Sequence, residues 1–491
     1  MSLAETPFET IPERHQQLLP AVQRIPADVL EIIFMQCTMI LAEEEDSEYD
    51  PDEDSGSGDT DGEDDEDDGG LYSGSENSYS DETGVDDGSS ISSMEMRYME
   101  PPATLQPPWV FTHVCRYWRE VASSCPRIWA SFNVSVDPGG LRNTSLPLFR
   151  RQLRNTASWP LKFEFFAYTD DSTSQLFLNT LAAHADQWES AQFCLPLSLL
   201  ESIDHISSGQ LQRLKILNIE SVQSGNIKSV KCGNIVIFCS APKLVEVHFW
   251  PSFRENSFLQ LPPNQITRFS LCATTQRNYL LSLNLIRTSV GCLELSSTFE
   301  GVLQQNGSSI TELPRLQTIV IEADNASVTL LNFLRAPSLH TLSITGVISH
   351  SSVLTVSDFI KRSSASLTSL KVGFRAQSLD LFLEIPDLVE LDLLIYDRQS
   401  IICLVNNDPV LLPRLKTLTL RVNWRYRSTM SSNAILEIAK ARGRPPATCH
   451  IVYDHSVLDP FIEEVENLSC KEEYCIRLHQ WSVYTSMMHS T

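Results

Sequence analysis

No apolar run in this chain of 491 residues approaches the ~20 needed to cross a bilayer as a helix. Its 12 cysteines are irregularly spaced, no C-x-x-C occurs, and four residues separate the near pair Cys470 and Cys475. Zinc-finger spacing is therefore lacking and a disulfide framework is disfavoured, so reduced thiols in a cytoplasmic or nuclear protein are expected. The first residues lack a basic patch followed by an apolar stretch, which is the pattern of a secretory signal. Also missing are G-x-G-x-x-G, the P-loop, H-E-x-x-H and G-x-S-x-G. The 11 histidines are scattered: His113 precedes the Val114-Cys115-Arg116 run and reads as an exposed helix residue, and His248 sits on an expected strand with cysteine far away in sequence. These absences leave no catalytic, metal or cofactor constellation to name, and the expectation is a protein that is not an enzyme.

Basic residues are missing from Ile25 to Met96. Between Glu43 and Asp87 lie 22 of the 62 acids, so the remaining 40 nearly balance the 37 bases. The formal charge of −25 is thus local, and the rest of the chain has no general electrostatic reason to bind nucleic acid or an anionic membrane. Segment 42–90 is Ser/Gly-rich with almost no aliphatic content and is expected to be disordered. It reads as a solvated spacer, as a binder of basic proteins, or as a phosphoregulated loop, since Ser47, Thr60, Ser73 and Ser78 each have an acid three residues on.

What is present divides into a polar leader (1–23), two helical segments, a long α/β region (141–455) and a C-terminal tail read as helical (456–491). The first helix is expected from Pro26, a first-turn residue with no N–H to leave unpaired, with Asp28 and Glu31 at its positive end. Val29, Leu30, Ile33, Phe34, Cys37 and Ile40 make its apolar stripe. The second segment, 107–130, is expected to set Val110, Val114, Trp118 and Val121 on one face, ending at Pro126 before Ile128 and Trp129.

Ile25-Pro26-x-x-x-Leu30-x-x-Ile33-Phe34, then Val114-Cys115-Arg116-Tyr117-Trp118 and Pro126-Arg127-Ile128-Trp129, resemble the F-box, in the form common in mushroom-forming fungi. The resemblance covers residues 24–132 with the acidic insert set aside. It departs from the family in one respect: about 65 residues separate the helices, a length whose entropic cost grows only logarithmically. It implies binding of an adaptor of the S-phase-kinase-associated (Skp) type through Pro26, Leu30, Ile33, Val114 and Trp118, and through that adaptor a cullin–RING module. Equally, Leu30, Val114 and Trp118 are the residues that would hold the helices together.

Downstream, L-x-x-L-x-L recurs. Its copies begin at Leu214, Leu244, Ile266, Val290, Leu316, Leu339, Leu367, Leu388 and Leu415, with a weaker one at Trp188, Ala191 and Phe193. Successive starts from Leu214 are 30, 22, 24, 26, 23, 28, 21 and 27 residues apart, close to the leucine-rich-repeat range. Alternation sends the Leu/Ile positions inward and their neighbours outward. The expected architecture is α/β: a helical F-box followed by an irregular leucine-rich-repeat-like solenoid with a parallel sheet. Prolines ahead of the strands are expected to stop preceding helices. Helical returns are expected at 352–362 and 431–442. A generic α/β protein with apolar strands is the alternative.

On such a sheet the outward positions include Glu220, Glu246, His248, Trp250, Arg268, Lys371, Asp392 and Arg421. The last seven are the expected contacts with a target protein, Trp250 as aromatic anchor. The functional expectation is a substrate receptor of a Skp–cullin–F-box ubiquitin ligase. The alternative is a scaffold whose acidic loop captures basic proteins without ligase assembly.

Overall fold

The computed structural model describes residues 25–44, 108–136, 145–203, 206, 209–222, 234–250, 258–273, 276–297, 310–322, 325–374, 380–395, 412–422, 448–453, 463, 465–467 and 476–480. Outside it lie the leader, the acidic insert beyond Glu44 and the expected return at 431–442.

A single open sheet of 14 parallel strands dominates the fold, and each strand lies beside the next in chain order. Its members are β1 (Ser131–Val136), β2 (Leu161–Ala167), β3 (Trp188–Leu195), β4 (Ile216–Ser221), β5 (Glu246–Trp250), β6 (Arg268–Ala273) and β7 (Cys292–Ser297). They continue as β8 (Thr318–Glu322), β9 (Thr341–Ile348), β10 (Ser369–Phe374), β11 (Glu390–Ile395), β12 (Thr417–Val422), β13 (Thr448–Tyr453) and β14 (Ile476–Gln480). The sheet thus starts ahead of residue 141. Its last strand falls in the segment expected as a helical tail.

One register runs through all of it. Phe132 is level with Phe163, then Ala191, Leu217, Val247, Phe269 and Leu293. The row goes on through Ile319, Leu342, Leu370, Leu391, Leu418, Cys449 and Ile476, every member buried. A second buried row lies two residues further on, from Val134 and Phe165 to Leu420 and Ile451. All copies of the expected template therefore fall in register, the weaker one at Trp188 included. Two unanticipated copies precede them. In the first, Trp129 takes the leading position before Phe132 and Val134. In the second, β2 shifts register at Leu161 and the template shortens to Leu161, Phe163 and Phe165.

The turns onto the strands repeat a device. In Ala241-Pro-x-Leu244, Leu313-Pro-x-Leu316, Ala336-Pro-x-Leu339, Ile385-Pro-x-Leu388 and Leu412-Pro-x-Leu415, the final Leu N–H donates to the first carbonyl at 3.2–3.3 Å. Proline, with φ preset, occupies the second position of a tight turn. Its expected role as helix stop is corrected at Leu313 and Ala336, which follow two-residue strands; Ala241 follows a 3-10 helix and Ile385 a short α-helix. The return segments pack on the buried face. They include α4 (Leu146–Asn155), α5 (Ser172–Ala182), α6 (Gln276–Ile286) and α7 (His350–Ser363). Helix α7 matches the return expected at 352–362; Ser349 caps it by accepting the Ser352 N–H, and Ser364 ends it in the left-handed region at φ 49°.

Ahead of the sheet, α1 (Ala27–Glu44) packs with α2 (Trp109–Val114), α3 (Arg116–Ser124) and the 3-10 turn Pro126–Trp129. Phe34 stacks on Phe111 at 4.2 Å and meets the Trp118 edge at 5.1 Å. The Tyr117 hydroxyl donates to the Ile25 carbonyl at 3.0 Å, and the Trp129 indole N–H to the Ala122 carbonyl at 2.7 Å. The expected single second helix is in fact two, because Cys115 is extended at φ −159°, its sulfur accepting the Trp118 N–H to cap α3. The break rotates Val114 out of line with Val121, so the four residues expected on one face do not share it. The helical unit adjoins the sheet where Arg151 of α4 lies 5.9 Å over the Trp109 ring.

The alternation can be checked on β8. Ile319→Ala empties a site in the buried row and should cost ~2–5 kcal/mol, whereas Val320→Ala, half-buried on the opposite face, should cost less than ~1 kcal/mol. Equal shifts in the urea midpoint would contradict the assignment of faces.

Candidate functional site

Two surfaces collect the residues singled out from sequence. The first belongs to the helical unit. Among the five residues expected on it, Leu30 is 0% exposed and packs with Phe34, so it is core and cannot face a partner. Trp118 is half-buried against Phe34 and serves mainly to hold the helices together. Pro26 is exposed, as are Ile33 (37%) and Val114 (48%). Val29 and Ile32 join them, Ile32 at 55% exposure. On α1, positions 29, 32 and 33 lie one turn apart on one face, while Leu30 and Phe34 turn to the core. The sequence reading missed Ile32 because it lies off the stripe shared with the core. The signal available was that α1 has more apolar positions than one packing face can use.

The second surface is the open face of the sheet, opposite the buried rows. Every expected target-contact residue lies on it, in two groups. Glu246, Arg268 and Cys292 share one row, and His248, Ser270 and Glu294 the next. His248 Nε2 lies 3.0 Å from Glu246 Oε1. Arg268 bridges two acids, 3.5 Å from Glu246 and 3.6 Å from Glu294. Trp250, level with Glu220 on β4, donates its indole N–H to the Ser270 hydroxyl at 3.3 Å and stays 41% exposed. The Glu322 carboxyl is held above its ordinary range, first by partial removal from water at the sheet surface and then by the Glu294 charge. Glu294 was not among the expected contacts, though it occupies the repeat offset of His248 and Asp392.

Four strands away, roughly 19 Å at the usual strand spacing, is the second group. Arg421 grips Asp392 with two nitrogens, Nε at 2.9 Å from Oδ1 and Nη2 at 2.9 Å from Oδ2. Such a bidentate pair is the strong form of the contact. Lys371, level with Asp392, is half-buried, and its pKa is lowered by desolvation and then by Arg421, with Asp392 opposing. At the far end the His450 and His479 rings stack at 5.0 Å, with Nδ1 and Nε2 2.8 Å apart.

Two of the described thiols, Cys449 and Cys194, are held in the protonated form. Burial pushes Cys449 up to about 12 and Cys194 up to about 11, Glu220 adding to the latter, so both are protonated at neutral pH. Among the described residues no group of His, Cys, Asp and Glu has metal-site geometry, and no helix is long and apolar enough to cross a membrane. Compared with protein-family models, with curated proteins and with solved structures, the chain matches none.

Lys371 gives this surface a pH signature. Its folded pKa lies below the ordinary 10.5. The charged form is therefore penalised in the folded state, a cost present at neutral pH that fades as pH rises toward 10.5. Lys371→Met should raise the urea midpoint near neutrality, and the gain should shrink as pH approaches 10.5. A gain that grows with pH would assign the wrong sign to the site.

Proposed function

We propose that this protein is the substrate-recognition subunit of a Skp–cullin–F-box type ubiquitin ligase, working by binding rather than by bond chemistry. The observation that carries the reading is the helical unit. Two segments separated in sequence by the acidic insert close on a shared aromatic core, yet leave Val29, Ile32, Ile33 and Val114 in water. Exposed aliphatic side chains on a small helical unit, three of them here on one face of α1, are a recurrent mark of a protein-binding face. The motif residues Ile25, Pro26, Ile33, Val114, Cys115, Trp118 and Trp129 belong to that unit. Their resemblance to the F-box names the partner: a Skp-type adaptor, and beyond it a cullin–RING module.

The sheet supports the second half of the reading. A stack of strands at near-constant period, with short turns on one side and helical or irregular returns behind, fits a diverged leucine-rich-repeat solenoid. Its open face offers alternate polar side chains across 14 strands, which suits a protein ligand. The ligase would act by raising the effective concentration of a target lysine near the ubiquitin-carrying enzyme. This chain supplies the positioning.

Interface anchors of this kind cost 2 kcal/mol or more when removed, roughly thirtyfold in affinity. Ile32→Asp and Val114→Asp should each weaken capture of a purified Skp-type adaptor by at least about that factor, with far-UV circular dichroism unchanged. Leu30→Ala should instead lower the thermal midpoint, because its side chain is core. Unchanged adaptor affinity in both aspartate variants, or no binding by the parent chain, would end the proposal.

A further inference from the structure

The charges of the open face are not evenly spread. Among the described strand positions from β4 to β8, its carboxylates are Glu220, Glu246, Glu294 and Glu322, and its one permanent cation is Arg268. From β10 to β14 the balance tips the other way, with Lys371, Arg421 and Arg477 against Glu390 and Asp392. Arg268 is shared between two acids at 3.5 and 3.6 Å and neutralises neither Glu220 nor Glu322. Negative potential is thus concentrated over five adjacent strands.

Two further features sit within that stretch. Trp250 lies between Glu220 on the neighbouring strand and Ser270, which holds its indole N–H at 3.3 Å. Pinned this way and 41% exposed, the ring is a ready platform for a cation, the attraction being strengthened by acids at its side. Asn218, level with His248, gives its amide N–H to Gln192 at 3.4 Å, while its side-chain oxygen, out of water, accepts from no described residue. Both features call for donors or cations. Burial first and the Glu294 charge second hold the Glu322 carboxyl above its ordinary range, and no cation on the face offsets that second effect among the described strand positions.

We propose that the open face between β4 and β8 is the docking site for an arginine- or lysine-rich segment of a partner protein, with one cationic side chain over Trp250 and others on Glu220, Glu246, Glu294 and Glu322. The inference rests on the receptor reading and adds the chemical class of the target. Around Lys371 and Arg421 the cations are balanced by Glu390 and Asp392, so the face there has no acidic excess to hold further cations, and this sets the limit of the site.

A hexa-arginine peptide bearing a terminal benzophenone serves as the probe, photo-crosslinked to the full chain and mapped by mass spectrometry. Cross-links should fall within 216–322, alongside any to the acidic tract. Glu246→Gln with Glu294→Gln, and separately Trp250→Ala, should each lower the sheet cross-links roughly fivefold or more while leaving those to the tract. Lys371→Ala should not lower them, and a hexaglutamate analogue should give none at 216–322. Cross-links confined to residues 43–90, or sheet cross-links indifferent to the glutamine and alanine variants, would overturn the proposal. Adaptor capture is a separate readout: its loss with peptide docking intact removes the ligase reading alone, and the reverse removes only the docking site.

Discussion

The structure depends on one constraint: each strand must bring its second and third template residues level with those of its neighbour. In a parallel ladder a slip of one residue turns every inward side chain to the other face. Here the penalty for a slip is the loss of Leu, Ile or Phe from two buried rows that run unbroken from Phe132 to Ile476 and from Val134 to Ile451. Fixing those rows also fixes the opposite face. Glu246 stands beside Arg268, and Asp392 two residues out of row from Arg421, because Val247, Phe269, Leu391 and Leu418 are level beneath them. The polar surface is therefore a by-product of apolar registration, and its geometry is as well determined as the core's.

The repeat was legible because Leu and Ile recur at fixed offsets, and an aliphatic row needs only that. What escaped was written in other residues. The first copies are aromatic: Phe132 and Phe163 fill the first row and Phe165 the second with larger rings, and Trp129 doubles as the end of the helical motif. In β13 the row passes through Cys449, a small apolar side chain that no leucine pattern selects. Ahead of strand β14, helical residues 463 and 465–467 carry the buried Val465, so the tail reads as helical and the strand behind it is obscured. The C-terminal boundary was misplaced for that reason.

The candidate sites were legible in part, for a related reason. Alternation says which side a residue faces, so all seven expected target contacts are on the open face. It says nothing of lateral partners, since Asp392 and Arg421 are brought together across strands 29 residues apart in sequence. On α1 the limit was angular. A stripe containing both Leu30 and Ile33 is wider than the surface that Phe111 and Trp118 cover, and packing alone decided which residue went inside. The break at Cys115, which turns Val114 outward, depends on a thiol cap with no strong sequence signature.

The five Pro-x-Leu turns have a consequence for how such a chain varies. Each turn resets the backbone immediately before a strand, so whatever precedes it is uncoupled from the register that follows. The stretch between equivalent positions ranges from 21 residues at Leu370 to Leu391 to 31 at Leu418 to Cys449, with no break in the rows. Residues gained or lost in a return reshape the rim and leave the floor unmoved, whereas a single residue gained inside a strand inverts it. Variation in such an array is tolerated in one compartment of the chain and forbidden in the other, and the proline marks the border.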